Sequence, residues 1–159
     1  MNKRAVIELV VAQIEKDLAA LVNATKATHA EATDEQNKAE NKYDTRALEA
    51  SYLAQGQSRQ VMELLKAKQE FEALGTAESI PEGPVDIGTL LTLRRGSIDT
   101  VYLLGPKAGG LEISCEETLV TVITPQSPLG QQLMGKVQGE SVAFSNDPGQ
   151  KPSQITRVW

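Results

Sequence analysis

Apolar residues near the start of the chain recur at alternating steps of four and three residues. They are Ile7, Val11, Ile14, Leu18 and Leu21. This heptad spacing is typical of an α-helix that packs one side against another helix. The same register then passes through threonines and an alanine, so the apolar stripe becomes small and polar toward residue 32.

A second helical stretch shows the opposite gradient. It begins with small residues at 47, 50 and 54, and large residues follow at 61, 64, 71 and 74. Reversing the chain between about Asp34 and Asp44 would match large residues with large ones and small with small. The pattern therefore predicts an antiparallel helical hairpin, a short coiled coil, over residues 1–74.

The second half of the chain alternates in period two, which is typical of half-buried strands. Six segments show it: 89–93, 100–104, 111–114, 119–123, 141–144 and 155–159. One helical signal lies between the fourth and fifth, with Ser127 as an N-cap, Pro128 at the first helical position and Gly135 as the stop. We expect a five- or six-stranded, mostly antiparallel sheet with one short helix.

Glycine and proline divide the chain in the same way. Residues 1–74 contain one glycine, Gly56, and no proline, whereas the other eleven glycines and all seven prolines follow. Both residues are depleted from helix interiors and mark turns. The predicted class is α+β, with a helical hairpin at 1–74, a linker at 75–84 and a β domain at 85–159.

Charge and cysteine content narrow the function classes. The chain of 159 residues has 16 basic and 21 acidic residues, a net charge of −5. Such a balance provides no basic field for a nucleic-acid backbone, so autonomous DNA or RNA binding is not expected. One cysteine, Cys115, and one histidine make neither an internal disulfide nor a zinc site. No apolar run approaches the roughly 20 residues that span a bilayer. A cytoplasmic protein without membrane contact is expected.

Residues 124–142 resemble the C-terminal domain of the bacterial Gre transcript-cleavage factors. The shared pattern is Ser-Pro followed by a hydrophobic residue, a leucine-rich turn, Gly-Lys, and Gly-Asp/Glu-x-Val. Here it is met by Ser127-Pro128-Leu129, Gly135-Lys136 and Gly139-Glu140-Ser141-Val142. The order of hairpin and β domain and the total length also agree, so the resemblance covers essentially the whole chain. It is specific in the C-terminal stretch and loose in the hairpin.

The resemblance implies a fold, a partner and a mechanism. The β domain would be similar to FK506-binding proteins and would dock at the rim of the RNA polymerase secondary channel, with Gln126, Ser127 and Pro128 at the contact. The hairpin would pass down the channel, where tip carboxylates share a second Mg²⁺ with the polymerase active site. The polymerase would then cleave its own backtracked RNA. The chain would be an accessory factor, neither an enzyme by itself nor the holder of a cofactor when alone.

The tip departs from the family pattern, Gly-Asp-Leu-x-Glu-Asn-Ala-Glu-Tyr. Aligning Glu-Asn with Glu40-Asn41 puts Asn37 where the family has Asp. Counting back from Gln55-Gly56 instead puts Asn41 at the Asp position and Asp44 at the Glu position. Both registers give one carboxylate and one amide, and an amide oxygen carries no charge for Mg²⁺.

Other tip residues could restore an acidic pair. Glu40 and Asp44 are four residues apart and would share a helix face, where both carboxylates could serve as Mg²⁺ ligands in the complex with the polymerase. Arg46 could contact a nucleotide phosphate or a polymerase carboxylate. The alternative for all these charges is a solvated helix end with no partner.

Three functions stay open on the sequence. The first is a channel-inserting factor that stimulates RNA cleavage, and the second is a factor that occupies the channel and modulates initiation or pausing without cleavage. The third is a structural coiled coil that self-associates, although the polar seam near the tip favours a monomer. A peptidyl-prolyl isomerase is disfavoured because the β half offers only Tyr102, Phe144 and Trp159 to line an aromatic pocket.

Overall fold

A computed structural model describes residues 1–33, 46–75, 83–143 and 152–159. In chain order its elements are α1 (Lys3–Thr33), α2 (Arg46–Gly75), β1 (Leu90–Arg95), β2 (Ile98–Leu104), β3 (Glu112–Cys115), β4 (Thr118–Ile123), α3 (Pro128–Leu133), β5 (Ser141–Val142) and β6 (Ser153–Val158). The predicted α+β class is confirmed, with two long helices, a six-stranded sheet and one short helix.

The described chain divides into two compact units. The helix unit is Ala12–Lys68, and the sheet unit combines Met1–Val11 with Gln69–Trp159. The sheet unit therefore contains the first part of α1 and the last part of α2. The sequence boundary at 75–84 is a different division, and most of that segment, residues 76–82, lies outside the described residues.

Within the helix unit, α1 and α2 pack side by side in opposite directions. Lys68 Nζ lies 3.3 Å from Glu15 Oε1, so the end of α2 meets the early part of α1. Ile14 and Ala67 are buried, whereas the apolar residues farther along the unit, Leu18, Leu21, Val61 and Leu64, are half-buried. Burial between the two helices therefore decreases along the described part of the unit, and the predicted tip lies outside the described residues.

The sheet has the order β3-β4-β2-β1-β6-β5. Four of its pairings are antiparallel, and β2 and β4 run parallel. The prediction of a mostly antiparallel sheet of five or six strands is confirmed, and the number is six. The parallel pair arises because β3 and β4 form a hairpin whose second strand, not its first, lies beside β2, which period-two patterning cannot reveal.

Each face of the sheet is covered by a different part of the sheet unit. On one face, Phe71 of α2 lies against Gly105 and Val122, and Leu90 and Leu103 are fully buried. On the other face, α3 contributes Leu133 to a core with Val85 and residues of five strands: Leu91, Leu93, Leu104, Ile123, Val142, Ile155 and Val158. The sheet is therefore the central layer of this unit.

The heptad stripe of α1 identifies only part of its buried surface. Ile7 and Ile14 are buried as expected, but Val6 and Val10 are also fully buried. Both valines lie in the part of α1 that belongs to the sheet unit and not to the helix unit. A two-helix pattern predicts a single buried stripe, so it misses this second one.

No helix in the described ranges is long and apolar enough to cross a membrane.

Candidate functional site

Ser127 starts α3 as predicted. Its backbone is extended, at φ −69° and ψ 151°, and its Oγ accepts a hydrogen bond of 3.0 Å from the Gly130 backbone N–H. The same hydroxyl donates to the Thr124 carbonyl oxygen at 2.7 Å. Pro128 occupies the first helical turn, where a missing N–H costs nothing. Both sides of the Ser127 hydroxyl are therefore used inside the chain.

Gly130 allows the loop of residues 124–128 to close on the helix. A Cβ at this position would lie 2.0 Å from the Thr124 carbonyl oxygen and 3.0 Å from Ser127 Oγ. No side chain fits in that space. The sequence prediction did not single out Gly130, although a glycine inside a helical signal is itself an indication of close backbone approach.

The stop of α3 leads into a second tight turn. Gly135 follows the helix in the left-handed region, at φ 76°, as the pattern predicts. The Glu140 carboxylate then accepts a 2.8 Å bond from the Val137 backbone N–H and a 3.0 Å bond from Lys136 Nζ. The Val137 bond, followed by the Lys136 bond, holds the pKa of Glu140 below its ordinary value. Glu140 thus closes this turn.

Glutamine side chains fasten α3 and its flanking turns to their surroundings. Gln132 Oε1 accepts from the Ala143 backbone N–H at 2.9 Å, and Gln131 Nε2 donates to the Gln126 carbonyl oxygen at 3.1 Å. Gln154 Nε2 donates to the Gly139 carbonyl oxygen at 3.0 Å. These contacts were not predicted, because an amide side chain gives no periodic signal in a sequence.

The outward side of this region presents polar and apolar side chains together. Gln126 and Pro128 are exposed, and so are Met134 and Val137. Of the three residues predicted to meet the polymerase, Gln126 and Pro128 offer their side chains to solvent, while Ser127 is half-buried and caps the helix. A partner at this loop would therefore meet Gln126 and Pro128 first, with Met134 and Val137 as adjacent apolar surface.

The predicted tip site is not part of the described structure. Asn37, Glu40, Asn41 and Asp44 lie outside the described residues. Arg46 begins α2, and its side chain is not among those described. In the described ranges, no group of three or more histidine, cysteine, aspartate or glutamate residues could hold a metal ion. The Mg²⁺ pair stays a prediction.

The comparisons with known proteins identify no family. No family model matches the chain, and no curated protein matches it. Among solved structures, the chain is similar to GreA factor homolog 1 of Thermus thermophilus at 13% identity, with 94% of each chain covered and a TM-score of 0.37. It is similar to the homologue from Thermus aquaticus at 15% identity, with 92% of each chain covered and a TM-score of 0.37.

A third similar structure is the transcription elongation factor GreA/GreB from Nitrosomonas europaea. Its identity is 17% and its TM-score 0.33, over 70% of this chain and 91% of that one. Identities and TM-scores at this level assign neither a family nor a function to the chain.

Proposed function

We propose that this chain is a cytoplasmic transcription factor that binds RNA polymerase, inserts its hairpin into the secondary channel and modulates elongation. It acts as an accessory factor, and the polymerase performs the chemistry. The observation that carries the proposal is the Gre-like pattern at residues 124–142, which forms one continuous loop, helix and turn in the sheet unit. A fold alone does not assign function, so the proposal depends on this surface and not on the architecture.

The internal contacts of that surface support a docking role. Ser127, Gly130 and Glu140 are used to hold the backbone, so the loop has a fixed shape before any partner arrives. A preformed surface loses little conformational freedom on binding. Gln126 and Pro128 are then the residues whose side chains are available to a partner.

Binding to core RNA polymerase tests the docking surface. Gln126→Arg places a bulky charge on the exposed loop without removing the Gln131 contact, which uses only the backbone oxygen of Gln126. We expect affinity for the polymerase to fall by about tenfold or more, because a bulky charge inside an interface disturbs packing and loses water without gaining a partner. The matched control is Ser114→Arg, which puts the same side chain on an exposed position of β3.

If the original chain and both variants bound the polymerase equally well, the loop would not be part of the interface. No binding to the polymerase by the original chain would remove the proposed function altogether.

RNA cleavage in stalled, backtracked complexes decides what the hairpin does once bound. If Glu40 and Asp44 share a Mg²⁺ ion with the polymerase, Glu40→Ala and Asp44→Ala would each abolish the stimulated cleavage while leaving polymerase binding intact. Carboxylate oxygens suit Mg²⁺, and removing one ligand from a shared ion weakens its hold.

The second candidate function is occupation of the channel without cleavage. It is favoured by the amide that stands at one family acid position in both alignments, Asn37 in one and Asn41 in the other. Binding without faster cleavage, together with altered pausing or initiation, would support it. In that case the tip substitutions would leave cleavage rates at the level of the polymerase alone.

A further inference from the structure

A groove lies open to solvent in the middle of the helix unit. An open groove of about 740 Å³ runs between α1 and α2 and is lined by Asp17, Leu21, Gly56, Arg59, Gln60, Glu63 and Leu64. Gly56 leaves part of this space open, since a Cβ there would have no atom within 4 Å. At the level of this groove the two helices share fewer atomic contacts than a closely packed interface would, so their association gains less there.

A polar residue stands in the apolar seam at the same level. Counting back by sevens from Phe71 gives Leu64 and then Gln57, so the glutamine follows two large apolar residues at the same heptad position. Gln57 Oε1 is buried and has no hydrogen-bond partner in the part of the chain that the structure describes. A buried carbonyl oxygen without a partner destabilises the packed state relative to one open to water.

Burial along the seam falls toward this level. Ile14 and Ala67, at one end, are almost completely buried, whereas Val61 and Leu64, nearer Gln57, are half-buried. Thr25, in the polar part of the seam, satisfies its hydroxyl within its own helix by donating to the Leu21 carbonyl oxygen at 2.8 Å. The Thr25 hydroxyl proton is therefore already used in a hydrogen bond within α1.

We infer that the hairpin is built in two parts that open separately, with the division at Gly56–Gln57. The part that holds Ile14 and Ala67 stays packed, while the helices beyond Gln57 separate and rejoin as a local opening. Solvation of Gln57 Oε1 on opening offsets part of the cost of losing contacts, and the groove means that few contacts are lost. The inference depends on packing and stands without the proposed function.

Hydrogen exchange of the full chain tests this division. Amides of residues 22–27 and 52–56 are expected to exchange at least about tenfold faster than those of residues 12–16 and 64–68, because local opening exposes only the first group. Gln57→Leu replaces the buried oxygen with an apolar side chain in the seam. It should slow exchange in the first group by about tenfold and leave the second group unchanged.

Gln55→Leu is the matched control, because Gln55 is exposed on the same helix one turn or less away. It should alter exchange by no more than about twofold, as an exposed substitution does. Gln57→Glu should change the exchange rate in the opposite direction. Burying a carboxylate is less favourable than burying an amide, so the substitution should speed opening. Equal protection along both helices, or equal effects of the leucine substitutions at positions 55 and 57, would overturn the two-part hairpin.

Discussion

Gly130 is the residue on which the loop before α3 depends most. Its missing side chain leaves room for the Thr124 carbonyl oxygen, which would lie 2.0 Å from a Cβ. Gly130→Ala must push the loop from the helix and break the Ser127 cap. We expect the free energy of unfolding to fall by about 3 kcal/mol, which combines an overpacking cost with a lost N-cap. Denaturant titration of the full chain measures it.

The same substitution at Gly56 provides the control. Gly56 lies inside α2 with open space around its Cα, so alanine adds helix propensity without a clash. Stability should rise by up to about 1 kcal/mol. If alanine at Gly130 were tolerated as well as alanine at Gly56, the tight approach of the loop to α3 would be wrong.

Glu140 allows the bonds at the end of the docking region to be tested one at a time. Its pKa is lowered first by the Val137 backbone N–H and then by Lys136. Lys136→Met should therefore raise this pKa only part of the way toward its ordinary value, because the backbone bond persists. Carboxyl chemical shifts followed by NMR during an acid titration would give the pKa in both proteins.

The sign of the effect on stability follows from the lowered pKa. The folded chain binds this proton less tightly than the unfolded chain, so the contribution of Glu140 is complete above the unfolded pKa. It is lost as the pH falls through the lowered folded pKa. Full return to an ordinary pKa in the Lys136→Met protein would show that the Val137 bond contributes nothing.

At the scale of elements, two turns of the sheet contrast in their chemistry. The turn between β1 and β2 places Gly96 at φ 63°, a backbone conformation that glycine adopts without strain. The turn between β3 and β4 holds Glu116 and Glu117 at φ 48° and 64°. Residues other than glycine, asparagine and aspartate rarely adopt this backbone conformation, so the β3–β4 turn stores strain.

Glu117→Gly should relieve that strain. Its side chain is exposed, and the neighbouring Glu116 keeps its 3.6 Å ion pair with the N-terminal amine of Met1. We expect stability to rise by about 1 kcal/mol. Gly96→Ala should lower stability by a similar amount, and thermal unfolding of both variants measures the contrast. A loss of stability in Glu117→Gly would mean that its backbone is not strained.

Local signals in the sequence were enough to predict most elements. The cap, proline and stop of α3 are complete within nine residues, so they identified the helix without knowledge of its neighbours. Alternation identified the strands, with shifts of one or two residues at their ends. Features that depend on distant contacts were missed: the parallel pairing of β2 with β4, the burial of Val6 and Val10, and the space reserved beside Gly130.

At the scale of the whole molecule, the sheet unit combines the start of α1 and the end of α2 with the strands. Val6 and Val10 come from the start of the chain and Phe71 from the end of α2, and all three are fully buried. Phe71 Cζ and Val122 Cγ1 lie 2.6 and 2.9 Å from where a Gly105 Cβ would be, so strand and helix meet closely there. Long-range packing of this kind ties the stability of the sheet to residues far from it in sequence.

A fragment of residues 83–159 should therefore fail to fold as the sheet does in the full chain. It retains all six strands but exposes the face that carries Leu90, Leu103 and Val122. Phe71→Ala in the full chain should lower the free energy of unfolding by about 3–5 kcal/mol, as large core truncations do.

The control for the fragment is a chain in which a short glycine-serine loop replaces residues 28–51, since this chain keeps every segment of the sheet unit. Circular dichroism and denaturant titration would show cooperative unfolding in the control and not in the fragment. Cooperative unfolding of the fragment at the stability of the full chain would place the domain boundary in residues 75–84, as the sequence alone predicts.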